Sequence, residues 1–366
     1  MPSTSRLIPL VSDTESQPTA AMRIAIANAE VGDEQRAEDP TVNRLQSRVA
    51  ELLGKEAALW FPGGTMCNFV AIKVHTQPAD AVVADWMAHI LRAESAGVAF
   101  SSGVQVEAIA SQRGIFSEDD LRAALRRLRT TPSPYAPRAR LLCVEQTHNF
   151  GGGAVWPLQA LQGVSRLAKA EGLAVHMDGA RLLNAVVASG VSAADFAATT
   201  DSVWLDFTKG LGAPIGAVLA GSRAFIAEAR RCKHIFAGAM RQAGIAAAGC
   251  LHALDHHVDR LADDHANARH LADGLAQIDG IRLLTPAPET NMVFFSAGGT
   301  GWSTAGFLAE LATRGVRMGE VSGEIRAVTH LDVSRADIAT TLAAVATVAK
   351  LPPTASGAQA ERASGY

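Results

Sequence analysis

From about residue 40 to residue 235 the chain alternates helix-spaced segments with short continuous apolar runs. In PTVNRLQSRVAELLG, Val42, Leu45, Val49, Leu52 and Leu53 recur at helical spacing, and Gly54 follows as a cap. FPGGTMCNFVAIKVH (61–75) puts a Gly-Gly-Thr turn directly before an apolar helix. Ala81 to Ala84 reads as a short strand. SEDDLRAALRRLRT (117–130) is an amphipathic helix that Ser117 caps. LLCVEQTHN (141–149) is a strand running into a polar cluster, and apolar runs recur at Leu173–Val175 and in SVWLDF. This is β-α-β texture, which predicts an α/β protein whose mostly parallel sheet is covered by helices on both faces.

The ends of the chain read differently. Residues 1–20 form an arm with little periodicity, 18–30 a short helix with Pro18 near its start, and 31–41 a polar loop broken by Gly32 and Pro40. Beyond residue 236 come long helices. From Ile281 the order is strand, strand (NMVFF), helix (304–314), strand (VRMGE), strand (EIRAVTH) and helix, a compact α+β unit. The expected division is an arm at 1–20, a large domain at 21–245, a small domain at 246–350 and a disordered tail at 351–366. No internal repeat is visible.

Composition narrows the class. With 366 residues, 48% hydrophobic and 19% charged, the chain can bury a sizeable core. A net charge of −3 argues against a dedicated nucleic-acid binder, and no apolar run is long enough to span a bilayer. The start lacks the charged-then-apolar pattern of a secretion signal, so a cytoplasmic location is expected. The cysteines at 67, 143, 232 and 250 show no C-x-x-C pairing and read as free thiols.

The chemistry concentrates between His176 and Gly221. LAVHMDGARLLN ends an apolar run in Asp178 and then Arg181, while SVWLDFTKGLGAPIGAVLAG ends another in Thr208-Lys209 and a glycine-rich turn. A lysine at one strand end and an acid at the next suit pyridoxal 5'-phosphate. The lysine forms a Schiff base with its aldehyde, and the carboxylate holds the proton on its ring nitrogen. Taken singly, such an Asp is more often a turn residue and such a Lys a solvated helix end. Together with Gly63, Gly64 and Thr65, whose helix start is a ready anion site, they favour the cofactor. The histidines at 252, 256, 257, 265 and 270 tempt a metal reading. His252 and His256 lack both an intervening glutamate and a third ligand, so a solvated helix face is expected and no metal site is assigned.

Taken in order, GDEQRAEDPTVNRLQSRVAELLGKEAALWFPGGTMCN, VEQTHNFGGGAVWPL, HMDGARLLNA, TKGLGAPIGAVLAG, MRQAG and EIRAVTH resemble the L-threonine aldolase family. The similarity runs from about Ser12 to Val348, and HMDGAR with KGLGAP in register is its most specific part. The resemblance implies the aspartate-aminotransferase-like fold of pyridoxal phosphate enzymes (fold type I), a large domain with a mostly parallel sheet and a smaller α+β C-terminal domain. It implies retro-aldol cleavage of an L-β-hydroxy-α-amino acid to glycine and an aldehyde. It gives Lys209 as the Schiff-base lysine, Asp178 as the ring-nitrogen partner, Gly64 and Thr65 in the phosphate loop, Thr208 beside the lysine and His89 stacked on the cofactor ring. Ser12, Arg181 and Arg326 hold the substrate carboxylate or a cofactor oxygen, and Arg241 reaches the phosphate of a neighbouring subunit, which requires a homo-oligomer (dimer or tetramer). His89 or His148 takes the β-hydroxyl proton.

The chain also departs from the family. Arg36 stands where a tyrosine usually lines the site, Gly63 where a serine is usual, and Leu91, Arg92 and Ala93 where aromatics are common. Tyr135 aligns with a second histidine near the β-hydroxyl. An altered side-chain pocket is therefore expected, suited to a phenylserine-like or acidic β-substituent as well as threonine or allo-threonine. Two other readings remain: another reaction on the same scaffold (β-elimination or transaldol exchange), or a non-catalytic protein.

Overall fold

The computed structural model describes residues 7–353. Its contacts divide the chain into two units, one made of the residues up to Gln17 and from Asp259 onward, the other of Pro18–Val258. The chain opens on β1 (Ile8–Leu10) of the smaller unit. The larger unit follows with α1 (Ala20–Ala27), α2 (Pro40–Leu52), β2 (Ala57–Phe61), α3 (Gly64–His75), β3 (Asp80–Asp85), α4 (His89–Arg92), α5 (Gly97–Ser102), β4 (Gln105–Ile109) and α6 (Glu118–Leu128). It continues through β5 (Arg138–Glu145), α7 (Leu158–Ala170), β6 (Ala174–Gly179), α8 (Leu182–Ser189), α9 (Ala193–Ala198), β7 (Ser202–Asp206), β8 (Ala217–Gly221), α10 (Arg223–Ile235) and α11 (Gly244–His256). The smaller unit resumes with α12 (Leu261–Leu275), β9 (Arg282–Leu283), β10 (Met292–Ser296), α13 (Thr304–Thr313), β11 (Val316–Val321), β12 (Glu324–Val328) and α14 (Arg335–Ala349).

In the larger unit seven strands form one sheet in the order β2-β8-β7-β6-β5-β3-β4. The pairs from β7 to β4 are parallel, and β8 alone runs against both its neighbours. β3, β7 and β8 are buried along their whole length, as strands covered on both faces must be. The helices start where local chemistry fixes them. Asp39 caps α2, accepting from the N–H groups of Thr41 and Val42, and Pro40 occupies the first turn, where its missing N–H costs nothing. Pro40 therefore begins a helix as well as ending the loop. Ser117 and Asp120 form a reciprocal capping box on α6. α11 packs on α1 and α2, which sets it in the larger unit.

The smaller unit is a five-stranded sheet, β1-β11-β12-β10-β9, parallel only at β1–β11. α12, α13 and α14 cover it, with Leu271, Phe295, Phe307, Ile325 and Val345 in its core. β1 lies within the stretch expected to be an arm. Three residues show no period in sequence, and pairing with β11 orders them. The histidines of α11, α12 and the turn between them are not one solvated face. His257 is buried and its ring nitrogen donates to the Leu211 carbonyl at 2.7 Å, and His265 is also buried. Helical spacing alone does not say which members of such a row turn inward. The four cysteines are buried and unpaired. Residues 1–6 of the expected arm and 354–366 of the expected disordered tail lie outside the described residues. Among the described residues no helix is long and apolar enough to cross a membrane.

Candidate active site

Four neighbouring parallel strands each end in a carboxylate. Asp85 closes β3, Glu145 closes β5, Asp178 stands one residue before the end of β6, and Asp206 closes β7. All four are buried. The carboxyl edge of such a sheet is where backbone ends splay and ligands enter. Here each acid is held by hydrogen bonds.

Asp178 is held on both oxygens. Its Oδ2 accepts from Asn68 Nδ2 at 2.9 Å and its Oδ1 from the Ala180 N–H at 3.0 Å. Burial raises its pKa to about 6, with Glu145 pushing the same way and the cations of His89 and Lys209 opposing. Asn68 also donates to Glu94 at 2.7 Å, and Glu94 accepts from His89 Nδ1 at 2.8 Å. Burial lowers the His89 pKa, but the Glu94 hydrogen bond and the charges of Asp178, Glu145 and Glu94 outweigh it, so the net shift is upward. The His89 N–H donates to Glu145 at 2.8 Å, which fixes the start of α4 against β5. α4 is a single turn, and His89 opens it.

Lys209 follows β7. Its Nζ donates to Asp206 Oδ2 at 2.6 Å and lies 5.6 Å from the Trp204 ring centre. The N–H and hydroxyl of Thr208 both donate to Asp206 Oδ1, at 2.9 and 2.8 Å. Gly212 then takes φ 73, a left-handed conformation that turns the chain after the lysine. Gly63 caps α3 without any side chain, so the first N–H groups of that helix have no side-chain acceptor. A Cβ on Gly64 would lie 2.2 Å from the Trp204 ring, so only glycine lets α3 start this close to β7. Arg181 is buried, and its Nη1 donates to Asn149 Oδ1 at 3.3 Å.

These residues fit pyridoxal phosphate. A buried carboxylate whose pKa is raised by desolvation is a partner that a protonated ring nitrogen would stabilise. A lysine amine stands on the neighbouring strand end, and an uncapped helix start offers N–H groups to a phosphate. Ligand atoms of His89, Glu94 and Asp178 also lie within 4.8 Å of one another, a spacing a metal would accept. There the His89 and Asn68 hydrogens already occupy the carboxylates.

The other expected site residues make contacts of their own. His148 is buried. Its Nδ1 accepts from the Gly151 N–H at 3.0 Å, which leaves the proton on Nε2, 3.3 Å from Asp85. Burial lowers its pKa, but the charges of Glu145 and Asp85 more than compensate and the net shift is upward. Tyr135 is 79% exposed in the loop preceding β5, at the amino end of a strand whose carboxyl end carries the site. The eight-residue β5 separates it from Glu145, so within one subunit it stands away from the strand ends that carry the acids. Arg36 is 73% exposed and 3.9 Å from Asp33, and Arg241 pairs with the same Asp33 at 3.0 Å. Ser12 and Arg326 belong to the smaller unit, where Arg326 Nη2 donates to the Val11 carbonyl at 3.1 Å. Asn68, Glu145 and Asp206 carry contacts that the sequence reading does not assign. Their signal is present in the chain: apolar runs ending in an acid, and a lone amide inside the apolar helix TMCNFV.

Comparison with known proteins identifies the family. Residues 9–298 match the model of the beta-eliminating lyase family. Low-specificity L-threonine aldolase 1 of Arabidopsis thaliana is 37% identical over 92% of this chain and 95% of that protein. The low specificity L-threonine aldolase of Escherichia coli K12 is 37% identical over 91% of this chain and 96% of its own length. Among solved structures, a Leishmania major threonine aldolase superposes with a TM-score of 0.80 at 22% identity, over 93% of this chain and 98% of that one. The family match over residues 9–298 thus places the chain among the beta-eliminating lyases. Within that family it belongs with the low-specificity L-threonine aldolases.

Proposed function

We propose that this enzyme cleaves the Cα–Cβ bond of an L-β-hydroxy-α-amino acid, releasing glycine and an aldehyde, with pyridoxal phosphate bound at the carboxyl edge of the larger sheet. The observation that carries the proposal is the meeting of Lys209 and the buried Asp178 on neighbouring strand ends, in a chain similar to threonine aldolases along nearly their whole length.

Each residue has a task its contacts suit. Lys209 holds the cofactor covalently, and Asp206 receives its ammonium whenever it is released. Asp178, fixed by Asn68 and the Ala180 N–H, keeps the ring nitrogen protonated. The start of α3 at Gly64 and Thr65, with Thr208, takes the phosphate. Arg181 binds the substrate carboxylate through a guanidinium fork that Asn149 orients. The bound cofactor supplies an electron sink for the pair left on Cα. The β-hydroxyl proton must leave as the bond breaks. His89, 21% exposed and tied to Glu94 through one ring nitrogen, suits that role. His148, 1% exposed, with Nδ1 taken by the Gly151 N–H and Nε2 3.3 Å from Asp85, positions the loop after β5 instead.

Arg92 donates to the Trp86 carbonyl at 2.6 Å and stacks on that indole, while Arg36 pairs with Asp33. Arg92, one of two cations that could pair an acidic β-substituent, is thus engaged elsewhere, which favours a methyl or aryl group over hydroxyaspartate. Assembly as a homo-oligomer in which Arg241 meets a neighbouring phosphate, and a cytoplasmic location, belong to the same proposal. The test is product analysis with threonine, allo-threonine, phenylserine and hydroxyaspartate. Glycine with the matching aldehyde is the expected result. Ammonia with an oxo acid would replace the aldolase by a β-eliminating enzyme.

A further inference from the structure

At the opposite edge of the larger sheet lies a cavity of about 580 Å³, within the size range of small-molecule sites. Four cations line it: Lys73 from the last turn of α3, Arg138 and Arg140 from the start of β5, and Arg231 from α10. Among the described residues none of the four makes a side-chain hydrogen bond or ion pair. Two acids share the lining. Asp80 accepts from the Gln77 N–H at 2.8 Å, and Glu228 stands on α10. His75 also lines the cavity, and burial lowers its pKa to about 4, so it is neutral at pH 7. The cavity is therefore positive on a chain whose net charge is −3.

His75 begins a buried hydrogen-bond chain that ends at the active site. Its Nε2 lies 2.8 Å from Ser202 Oγ, which lies 2.8 Å from His176 Nδ1. His176 Nε2 meets Asn68 Oδ1 at 3.2 Å, and Asn68 Nδ2 donates to Asp178 at 2.9 Å. The directions follow from one group. The Trp204 indole N–H can only donate, and it donates to Asn68 Oδ1 at 2.8 Å, which fixes the amide. His176 must then donate from Nε2 and accept at Nδ1, so Ser202 donates to it and accepts from His75. Every donor along the chain points from the cavity toward Asp178, and aligned hydrogen bonds of this kind strengthen one another.

We propose that this cavity binds a small polyanion, a metabolite carrying two or more phosphoryl or carboxylate groups, and that its occupancy is felt at Asp178 through the chain that starts at His75. Arginine forks suit such groups, and an anion beside His75 makes its N–H a weaker donor, which weakens each donor in turn. The effect on Asp178 rests on the proposed cofactor role of that residue; the binding does not.

The probe is inorganic pyrophosphate, titrated calorimetrically into the purified holoenzyme at low salt. Saturable binding that weakens with added salt is expected. The Arg138→Ser/Arg140→Ser double variant should bind about tenfold more weakly or worse with its basal activity unchanged. Absence of saturable heat, or equal affinity in the double variant, would overturn the site. Pyrophosphate should also perturb the visible spectrum of the holoenzyme. It should no longer do so in His75→Phe, which keeps the ring stacked on Phe225 at 4.7 Å. Binding with an unchanged wild-type spectrum would remove the coupling and leave the site. A protein that binds pyrophosphate yet takes up no pyridoxal phosphate would remove the cofactor reading alone.

Discussion

At the residue scale the account turns on Asp178. Its pKa is raised in the folded protein, so protonation there stabilises the cofactor-free fold below about pH 4, and that contribution is lost as pH rises through about 6. A cofactor whose ring nitrogen is protonated would add a cation that stabilises the ionised carboxylate. The gain in melting temperature from pyridoxal phosphate should therefore grow between pH 5 and pH 7.5, and a flat difference would contradict the assignment. Asp178→Asn should lower cleavage by roughly a hundredfold or more, as losses of groups that stabilise developing charge do. Removal of either histidine separates their roles. His89→Asn should reduce kcat by roughly a hundredfold and flatten the lower limb of its pH profile, whereas His148→Asn should lower the melting temperature and leave that limb in place. At this scale Asp178 and Lys209 were legible because their spacing sits in a distinctive motif, whereas His89 was named only through the family resemblance. Asp206 and Asn68 were not assigned, because their importance lies in side chains brought together by β7 and α3 from distant parts of the chain.

At the scale of elements, one side chain ties three segments. The Asp39 carboxylate accepts from Thr41, Val42, Gly32 and Gly244, joining α2, the loop before it and the start of α11. Asp39→Ala leaves these buried donors unpaired and should cost about 2–4 kcal/mol, measured by chemical denaturation of the cofactor-free protein. A loss below about 0.5 kcal/mol would show that water takes its place. Gly64→Ala tests the α3 start differently. Its Cβ would collide with the Trp204 ring, so the cofactor should bind about tenfold or more weakly. The strands and most helices were legible from apolar runs and caps. β1 was not, since three residues carry no period and only pairing with β11 orders them. The inward turn of His257 and His265 was equally hidden, because it depends on what α11 and α12 pack against.

At the scale of the molecule, the parallel sheet with acids along its carboxyl edge was foreshadowed by the alternation of apolar runs and helices. The antiparallel β8 was not, because a short turn after Lys209 sends the chain back along β7 and no local pattern reports direction. The positive cavity at the amino edge was invisible in sequence, as Lys73, Arg138, Arg140 and Arg231 come from three separated elements. The central claim is that Lys209 carries pyridoxal phosphate, and one measurement addresses it most directly: the visible absorbance spectrum of the protein saturated with pyridoxal phosphate, beside that of Lys209→Ala. The account predicts a band in the wild type that borohydride reduction bleaches, leaving a pyridoxyl adduct on Lys209, and no such band in the variant. A wild type without the band, or a band and adduct that persist in Lys209→Ala, would contradict it.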